Sequence, residues 1–155
     1  DACQLSYPGV FDFNIPEPRK WLHPVGFCAL GNALPNAIGA KMALPTTPVA
    51  VLVGDGGFMF TMPELLTAKE QNLSLPIIIW ENGGYKQIQD DMGVKKIDRV
   101  GVEGLNPDFI QLAKSCHCEA VYADSAEVFI KAFKNALSTN SPTIILVKEN
   151  DDWLN

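Results

Sequence analysis

Two segments of this sequence consist wholly of apolar residues, and they constrain the fold more than any other feature. They are VAVLV (49–53) and LPIIIW (75–80). A strand with water on one face alternates apolar and polar residues, so strands without that alternation must be covered on both faces. EAVYA (119–123) and PTIILVK (142–148) are two further predicted strands. Helical segments alternate with them, which predicts an α/β fold: a doubly wound, mainly parallel sheet with helices on both faces.

The segments between the strands have the spacing and the end signals of helices. The predicted helices cover 31–44, 61–72, 85–92, 106–116 and 124–138. Thr61 and Glu64 have the spacing of a capping box, which predicts Thr61 as an N-cap. Asn106 is predicted as the N-cap of the next-to-last helix, with Pro107 at its first helical position. Residues 1–27 are rich in proline and aromatic side chains and are predicted to be irregular.

Composition excludes several classes of protein. The chain has 155 residues, is 47% hydrophobic and carries a formal net charge of −6. This length suits one domain with a core, and the negative charge argues against nucleic acid or an anionic membrane as main partner. No apolar run approaches the ~20 residues of a membrane helix, and no signal peptide is visible. The four cysteines form no disulfide framework, which favours reduced thiols and a cytoplasmic location.

Polar and glycine residues follow both fully apolar strands. Gly-Asp-Gly-Gly (54–57) ends the first strand, and Asn-Gly-Gly (82–84) follows the second. In open α/β sheets, ligands bind beyond the carboxyl ends of the strands. If the two strands are neighbours, they lie ~4.8 Å apart, and Asp55 and Asn82 can reach one ion. Asn82 comes 27 positions after Asp55, which leaves room for one helical crossover.

The chemistry of these residues favours a magnesium phosphate ligand. A carboxylate, an amide oxygen and a main-chain carbonyl near Gly84 are hard oxygen ligands that suit Mg²⁺, a cation that often shares phosphate oxygens. Gly56 and Gly57 expose main-chain N–H groups and let a phosphate approach closely. The dinucleotide pattern is not met, since residue 59 is Met, and no P-loop is present. A plain turn remains the alternative, because Gly-Asp-Gly alone is common.

Together these residues resemble a known signature. Gly-Asp-Gly, about 27 residues and then Asn after an apolar strand is similar to the motif of thiamine diphosphate enzymes. The segment WLHPVGFCALGNALPNAIGAKMA (21–43) resembles the one that precedes the motif in acetolactate synthase-like members. The resemblance covers nearly all of residues 1–155. It implies a C-terminal thiamine diphosphate-binding (PP) domain, and the start at Asp1 rather than Met leads us to expect a fragment of a longer multidomain chain.

The resemblance also implies site roles by position. Asp55 and Asn82 would bind Mg²⁺ through side chains and Gly84 through its carbonyl. Leu30 falls where the family places a large apolar side chain under the cofactor. Cys28 falls where a carbonyl holds the aminopyrimidine and where glycine is common, so its role depends on its backbone angle. The residues implied in binding thiamine diphosphate are Gln4, Cys28, Leu30, Gly54, Gly56, Gly57, Phe58 and Asn82.

No catalytic residue is expected on this chain. In the family, a glutamate on a separate pyrimidine-binding (PYR) domain acts on the aminopyrimidine, and nothing here resembles that domain. The resemblance therefore implies a site shared with a PYR domain of the same or another chain, in a homodimer or homotetramer. The isolated chain is predicted to be inactive.

The implied reaction is loss of CO₂ from a 2-oxo acid. QIQDDM (87–92) and VGVEGLNPDFIQLAKS (100–115) resemble decarboxylases of 5-guanidino-2-oxopentanoate. Asp90 and Asp91 could bind a guanidinium group by charge-assisted hydrogen bonds, although both could also lie on a solvated helix face. An acetolactate synthase-type carboligase is the alternative, but Asp91 stands near where those enzymes carry tryptophan. A non-catalytic cofactor-binding subunit is an alternative of another class.

Overall fold

The computed structural model describes residues 1–15 and 17–154. Pro16, in the segment predicted to be irregular, and Asn155 lie outside these ranges. The strands are β1 (Val51–Gly54), β2 (Leu75–Glu81), β3 (Glu119–Tyr122) and β4 (Pro142–Lys148). The helices are α1 (Ser6–Asp12), α2 (Ala33–Ala43), α3 (Asp55–Thr61), α4 (Glu64–Glu70), α5 (Lys86–Val94), α6 (Phe109–Ser115) and α7 (Ala126–Ala136), followed by a 3₁₀ turn, Asp152–Leu154.

The four strands form one parallel sheet in the order β1-β2-β4-β3. The central strands β2 and β4 pair along seven positions, from Leu75 opposite Pro142 to Glu81 opposite Lys148. The predicted α/β class and parallel sheet are thereby confirmed. No helix in the described ranges is both long and apolar enough to cross a lipid bilayer.

The two faces of the sheet explain why its strands are apolar at nearly every position. Ile77 and Ile144 join a core cluster that includes side chains of α2, α4 and α6. Ile78 and Ile145, one position later on the same strands, join a second cluster with side chains of α7. Successive strand side chains point to opposite faces. Because helices cover both faces, nearly every position along β2 and β4 needs an apolar residue; Thr143, Glu81 and Lys148 are the polar ones.

The predicted capping box at Thr61 is wrong. The segment 61–72 was predicted as one helix, but the chain forms α3 up to Thr61 and then the separate α4 from Glu64. The residue before α4 is Pro63, which makes no side-chain cap. The Thr61 hydroxyl instead donates to the carbonyl of Gly31 at 2.7 Å, a contact 30 positions away in sequence. A tertiary contact therefore replaces the local cap.

The predicted N-cap at Asn106 is also wrong, and α1 was not predicted. The N-cap of α6 is Asp108, whose carboxylate accepts from the N–H of Gln111 at 2.9 Å. The helix therefore starts after Asp108, and the side chain of Asn106 is available for another contact. The helix α1 lies within the segment 1–27 that was predicted to be irregular.

Candidate functional site

The loops that follow β1 and β2 lie side by side. The two strands are parallel neighbours, with Gly54 opposite Trp80. The expected adjacency of these strands is confirmed, and it brings 54–57 next to 82–84. The site is therefore built at the carboxyl edge of the sheet, where ligands bind in open α/β folds.

Asp55 is the centre of this arrangement, and its side chain is fully buried. Its Oδ2 accepts from the main-chain N–H groups of residues 82, 83 and 84 at 3.2, 2.8 and 3.0 Å. The side-chain amide of Asn106 donates to the same oxygen at 2.7 Å. Oδ1 accepts from the N–H of Gly56 at 2.8 Å. The carboxylate thus fixes the second loop against the first.

Gly56 and Gly57 are needed for close packing within the chain. A Cβ on Gly56 would lie 2.9 Å from the ring of Tyr85 and 3.3 Å from the carbonyl oxygen of Gly84. A Cβ on Gly57 would overlap the carboxylate of Asp1. That carboxylate accepts from the N–H of Gly31 at 2.9 Å. These contacts give a reason for the glycines that does not involve a phosphate.

The second loop requires glycine because of its backbone and its neighbours. Gly83 and Gly84 have φ of +85° and +111°, a region that side chains disfavour. A Cβ on Gly84 would lie 2.8 Å from the carbonyl oxygen of Val102. The buried amide of Gln89 donates to the carbonyls of Gly83 and Val102 at 3.0 and 2.9 Å. The loop is therefore clamped between α5 and the segment 95–108.

A cavity of about 240 Å³ opens beside these loops. Of the residues predicted to bind cofactor, metal or substrate, those that line it are Gln4, Cys28, Leu30, Gly54, Gly57, Asn82, Gly84 and Asp91. The tertiary structure thus brings together predicted site residues from five separate parts of the chain. A larger cavity, of about 420 Å³, lies between the N-terminal segment, α2 and β1, and none of the predicted site residues lines it.

Cys28 and Gln4 take positions that suit the roles implied for them. The φ of Cys28 is +48°, so this residue adopts the left-handed conformation that favours glycine. The backbone angle on which its implied role depends is therefore present, and the role itself stays a prediction. The side chain of Gln4 accepts from the amide nitrogen of Asn82 at 2.9 Å, which leaves the amide oxygen of Asn82 for another partner.

Phe58 contributes its side chain to the core and not to the cavity. It is fully buried, and its ring meets that of Phe109 edge-on at 5.8 Å between centroids. Any contact of Phe58 with a cofactor would have to come from its main chain. The aromatic pair instead anchors α3 on α6.

Asp90 and Asp91 have different surroundings, although they are adjacent on α5. Asp90 forms an ion pair with Lys86, one turn earlier. Asp91 is exposed, accepts from the amide of Gln87 at 3.3 Å and lines the cavity. Only Asp91 is therefore placed at the cavity, and the two carboxylates do not form a joint acidic pocket.

Local patterns did not indicate the site roles of four residues: Asp1, Tyr85, Gln89 and Asn106. Each of them acts through a contact with a residue that is remote or in a different loop. No local pattern marks such contacts. The residues around Asn106 have the pattern of a helix start, and this pattern predicted an N-cap instead of a contact with Asp55.

The residues at this edge fit a magnesium ion by their chemistry. A buried carboxylate requires compensation, by hydrogen bonds, an ion pair or a metal. Asp55 has hydrogen-bond donors, but no described lysine, arginine or histidine forms an ion pair with it. Within residues 1–15 and 17–154 there is no cluster of three His, Cys, Asp or Glu side chains suited to a metal. A cation here would rest on one carboxylate, the Asn82 amide and the Gly84 carbonyl, which are hard ligands.

This fold and site define a class of protein. Residues 6–147 match the family described as "Thiamine pyrophosphate enzyme, C-terminal TPP binding domain". The chain belongs to this family, and thiamine diphosphate is the cofactor that the family binds.

Two relatives are similar to this chain over most of its length. The chain is 46% identical over 119 residues to the probable 2-ketoarginine decarboxylase AruI of Pseudomonas aeruginosa, covering 76% of this chain and 21% of that protein. It is 35% identical over 136 residues to the probable acetolactate synthase large subunit of Methanococcus aeolicus, covering 86% and 22%.

A solved structure agrees with these relatives. It is the thiamine diphosphate-dependent 4-hydroxybenzoylformate decarboxylase of Rhodococcus jostii RHA1, with a TM-score of 0.72 and 33% identity. The match covers 79% of this chain and 24% of that one. The chain therefore spans between a fifth and a quarter of the length of these proteins.

Proposed function

We propose that this chain is the Mg²⁺- and thiamine diphosphate-binding domain of a 2-oxo acid decarboxylase whose substrate is 5-guanidino-2-oxopentanoate, also called 2-ketoarginine. The main support for this proposal is that Asp55, Asn82 and Gly84 lie together at the carboxyl ends of two adjacent parallel strands, beside a cavity. The similarity to the Pseudomonas protein named as a 2-ketoarginine decarboxylase supports the choice of substrate.

The residues have distinct tasks in this proposal. Asp55, the amide oxygen of Asn82 and the carbonyl of Gly84 hold Mg²⁺, which neutralises the diphosphate. Leu30 and the main chain of Cys28 line the part of the cavity that receives the aminopyrimidine. When bound, thiamine diphosphate supplies the electron sink that decarboxylation of a 2-oxo acid requires.

Asp91 is the proposed contact for the substrate cation. It lines the cavity and its side chain is exposed there, so a guanidinium can approach it without displacing a core residue. A carboxylate and a guanidinium form charge-assisted hydrogen bonds, often two at once. Asp90 has no such role in this proposal, because Lys86 already neutralises it.

The site is completed by a second domain. We propose that this chain is one domain of a longer protein, and that a PYR domain of the same or another chain supplies the catalytic glutamate in a homodimer or homotetramer. The isolated 155-residue chain is then expected to show no turnover. Decarboxylation by that chain alone would contradict this division of labour.

The deciding experiment uses the full-length protein with thiamine diphosphate and Mg²⁺. CO₂ release and products are measured from 5-guanidino-2-oxopentanoate and, separately, from pyruvate. The aldehyde from the guanidino acid, without acetolactate from pyruvate, is the expected result. Acetolactate from pyruvate would favour the second candidate, a carboligase, which the similarity to the Methanococcus acetolactate synthase supports. A protein that binds cofactor and yields no product from any 2-oxo acid would favour a non-catalytic subunit.

A further inference from the structure

Asn106 connects two carboxylates at the edge of the site. It lies between α5 and α6, outside both helices. Its side-chain amide nitrogen donates to Oδ2 of Asp55 at 2.7 Å and to Oε1 of Glu81 at 3.3 Å. An amide nitrogen carries two N–H donors, so both are used on acidic groups. Asn106 therefore places a neutral donor between two negative charges.

The two oxygens of Asp55 are not equivalent as a result. Oδ2 accepts four hydrogen bonds, three from the main chain of 82–84 and one from Asn106. Oδ1 accepts one, from Gly56. Each carboxylate oxygen has about two lone-pair directions. Oδ2 is therefore saturated, and Oδ1 is the oxygen with capacity for a cation.

We propose that Asn106 is a positioning residue for the metal site: it fixes the Asp55 carboxylate through Oδ2, so that Oδ1 is presented to Mg²⁺. This inference rests on the metal role of Asp55 proposed above. Partners that orient a metal ligand typically affect metal affinity by about 10- to 100-fold when removed.

The loop that carries Asn106 does not depend on it for its position. The N–H of Tyr85 donates to the carbonyl of Val102 at 3.0 Å, Gly84 forms a bridge with Glu103, and Gln89 donates to Val102 at 2.9 Å. These contacts remain when the Asn106 side chain is changed. Loss of the amide should therefore alter the metal site and leave the fold in place.

The test is a Mg²⁺ titration of the full-length protein at fixed thiamine diphosphate, followed by tryptophan fluorescence, with Asn106→Leu as the variant. Leucine has the same number of side-chain heavy atoms and the same branch point as asparagine, although its methyl groups are bulkier, and it removes both donors. The matched control is Asn135→Leu, on the exposed side of α7. We expect Asn106→Leu to weaken Mg²⁺ binding by about 10-fold or more, and the control to bind as the unmodified protein does.

A second readout separates positioning from a general structural effect. Mn²⁺ bound in place of Mg²⁺ gives an electron paramagnetic resonance spectrum that reports ligand geometry. The spectrum should change in Asn106→Leu and stay the same in Asn135→Leu. If Asn106→Leu does not fold, Asn106→Ser takes its place, because a serine hydroxyl is too short to reach both carboxylates, and the same weakening and spectral change are required.

The outcomes distinguish this inference from the proposed function. Mg²⁺ affinity within about twofold of the unmodified protein, with an unchanged Mn²⁺ spectrum, would overturn the role of Asn106. The metal site itself would stand in that case if Asp55→Asn still abolishes Mg²⁺-dependent cofactor binding. A third outcome is that the unmodified protein binds thiamine diphosphate equally tightly when all divalent cations are chelated. That result would overturn both the metal site and the role of Asn106.

Discussion

The acidic residue that follows β1 and the two acidic residues on α5 are held in opposite ways. Asp55 is fully buried and accepts five hydrogen bonds from three separate segments of the chain. Asp90 and Asp91 have their side-chain partners, Lys86 and Gln87, one turn earlier on the same helix. The tertiary fold therefore fixes the carboxylate proposed for the cofactor, whereas a single helix surface carries the one proposed for the substrate.

This difference means that the fold depends on the side chain of Asp55 more than on that of Asp91. A change at Asp55 disturbs the contact between the loops after β1 and β2. A change at Asp91 alters one exposed side chain of α5. If Asp91 contacts the substrate as proposed, a change there would alter substrate preference and leave the contacts of Asp55 in place.

The largest effect is expected for Asp55→Asn. The variant keeps the shape of the side chain but removes the charge that would hold Mg²⁺. Loss of a metal ligand should exceed the about 10- to 100-fold cost of losing an outer-shell partner. Titration of the full-length protein with thiamine diphosphate, with and without Mg²⁺, should show no metal-dependent binding. Unchanged affinity would contradict the metal assignment.

Gly84→Ala should be the next most damaging change. The residue has a φ of +111°, and the new Cβ would lie 2.8 Å from the carbonyl oxygen of Val102. Backbone strain of this kind costs about 1–3 kcal/mol, and the close contact adds to it. Gly101→Ala is the matched control, since Gly101 has a φ of +69° but no atom within 4 Å of its Cβ position. Denaturant unfolding should rank Gly84→Ala as the less stable variant; equal losses would assign the effect to φ alone.

Gln89→Ala is expected to have an intermediate effect, on stability and on the metal site together. The side chain is buried and bridges the carbonyls of Gly83 and Val102. Leaving buried acceptors without a donor costs about 1–3 kcal/mol. Gln87→Ala, on the same helix and with one contact to Asp91 at 3.3 Å, is the control for unfolding measurements. Equal stability of the two variants would show that the clamp on the second loop is unimportant.

The smallest effect is expected for Asp91→Asn, and it should depend on the substrate. An exposed ion pair contributes about 0.2–1 kcal/mol, which corresponds to an increase in KM of up to about fivefold for 5-guanidino-2-oxopentanoate. Asp98→Asn should leave this KM unchanged, because Asp98 is exposed and does not line the cavity. Asp90→Asn is unsuitable as a control, because it would leave Lys86, which lines the cavity, without its partner. Comparing Asp91→Asn and Asp98→Asn on the guanidino acid and on a neutral 2-oxo acid tests the assignment. Equal losses on the two substrates would remove the proposed role of Asp91.

Apolar patterning was enough to predict the sheet, and through the sheet much of the site. The continuous apolar strands required helices on both faces, and the core clusters around Ile77 and Ile78 have that arrangement. Once β1 and β2 are parallel neighbours, the loops with Asp55 and Asn82 must meet. This part of the site follows from a few local signals, because parallel strands end at a common edge.

The contacts that complete the site could not be predicted from local patterns. Thr61 and Asn106 each have the residue type of an N-cap, and each makes a tertiary hydrogen bond instead, to Gly31 and to Asp55. A short polar side chain next to a predicted helix has both options. Which hydrogen bond the side chain makes depends on a partner 30 or 51 positions away. Capping rules consider only residues within a few positions of the helix end, so they do not include such partners.

The position of β4 has a consequence for how the polypeptide folds during synthesis. It is the last of the described strands in sequence order and lies between β2 and β3, so both earlier strands leave the ribosome before the strand that joins them. Until residues 142–148 emerge, β2 and β3 each present an open backbone edge, and such edges readily pair with other chains. The helix α7 packs against both β2 and β4, so part of its support is also missing until then. Completion of this four-stranded sheet thus follows translation of residues 142–148.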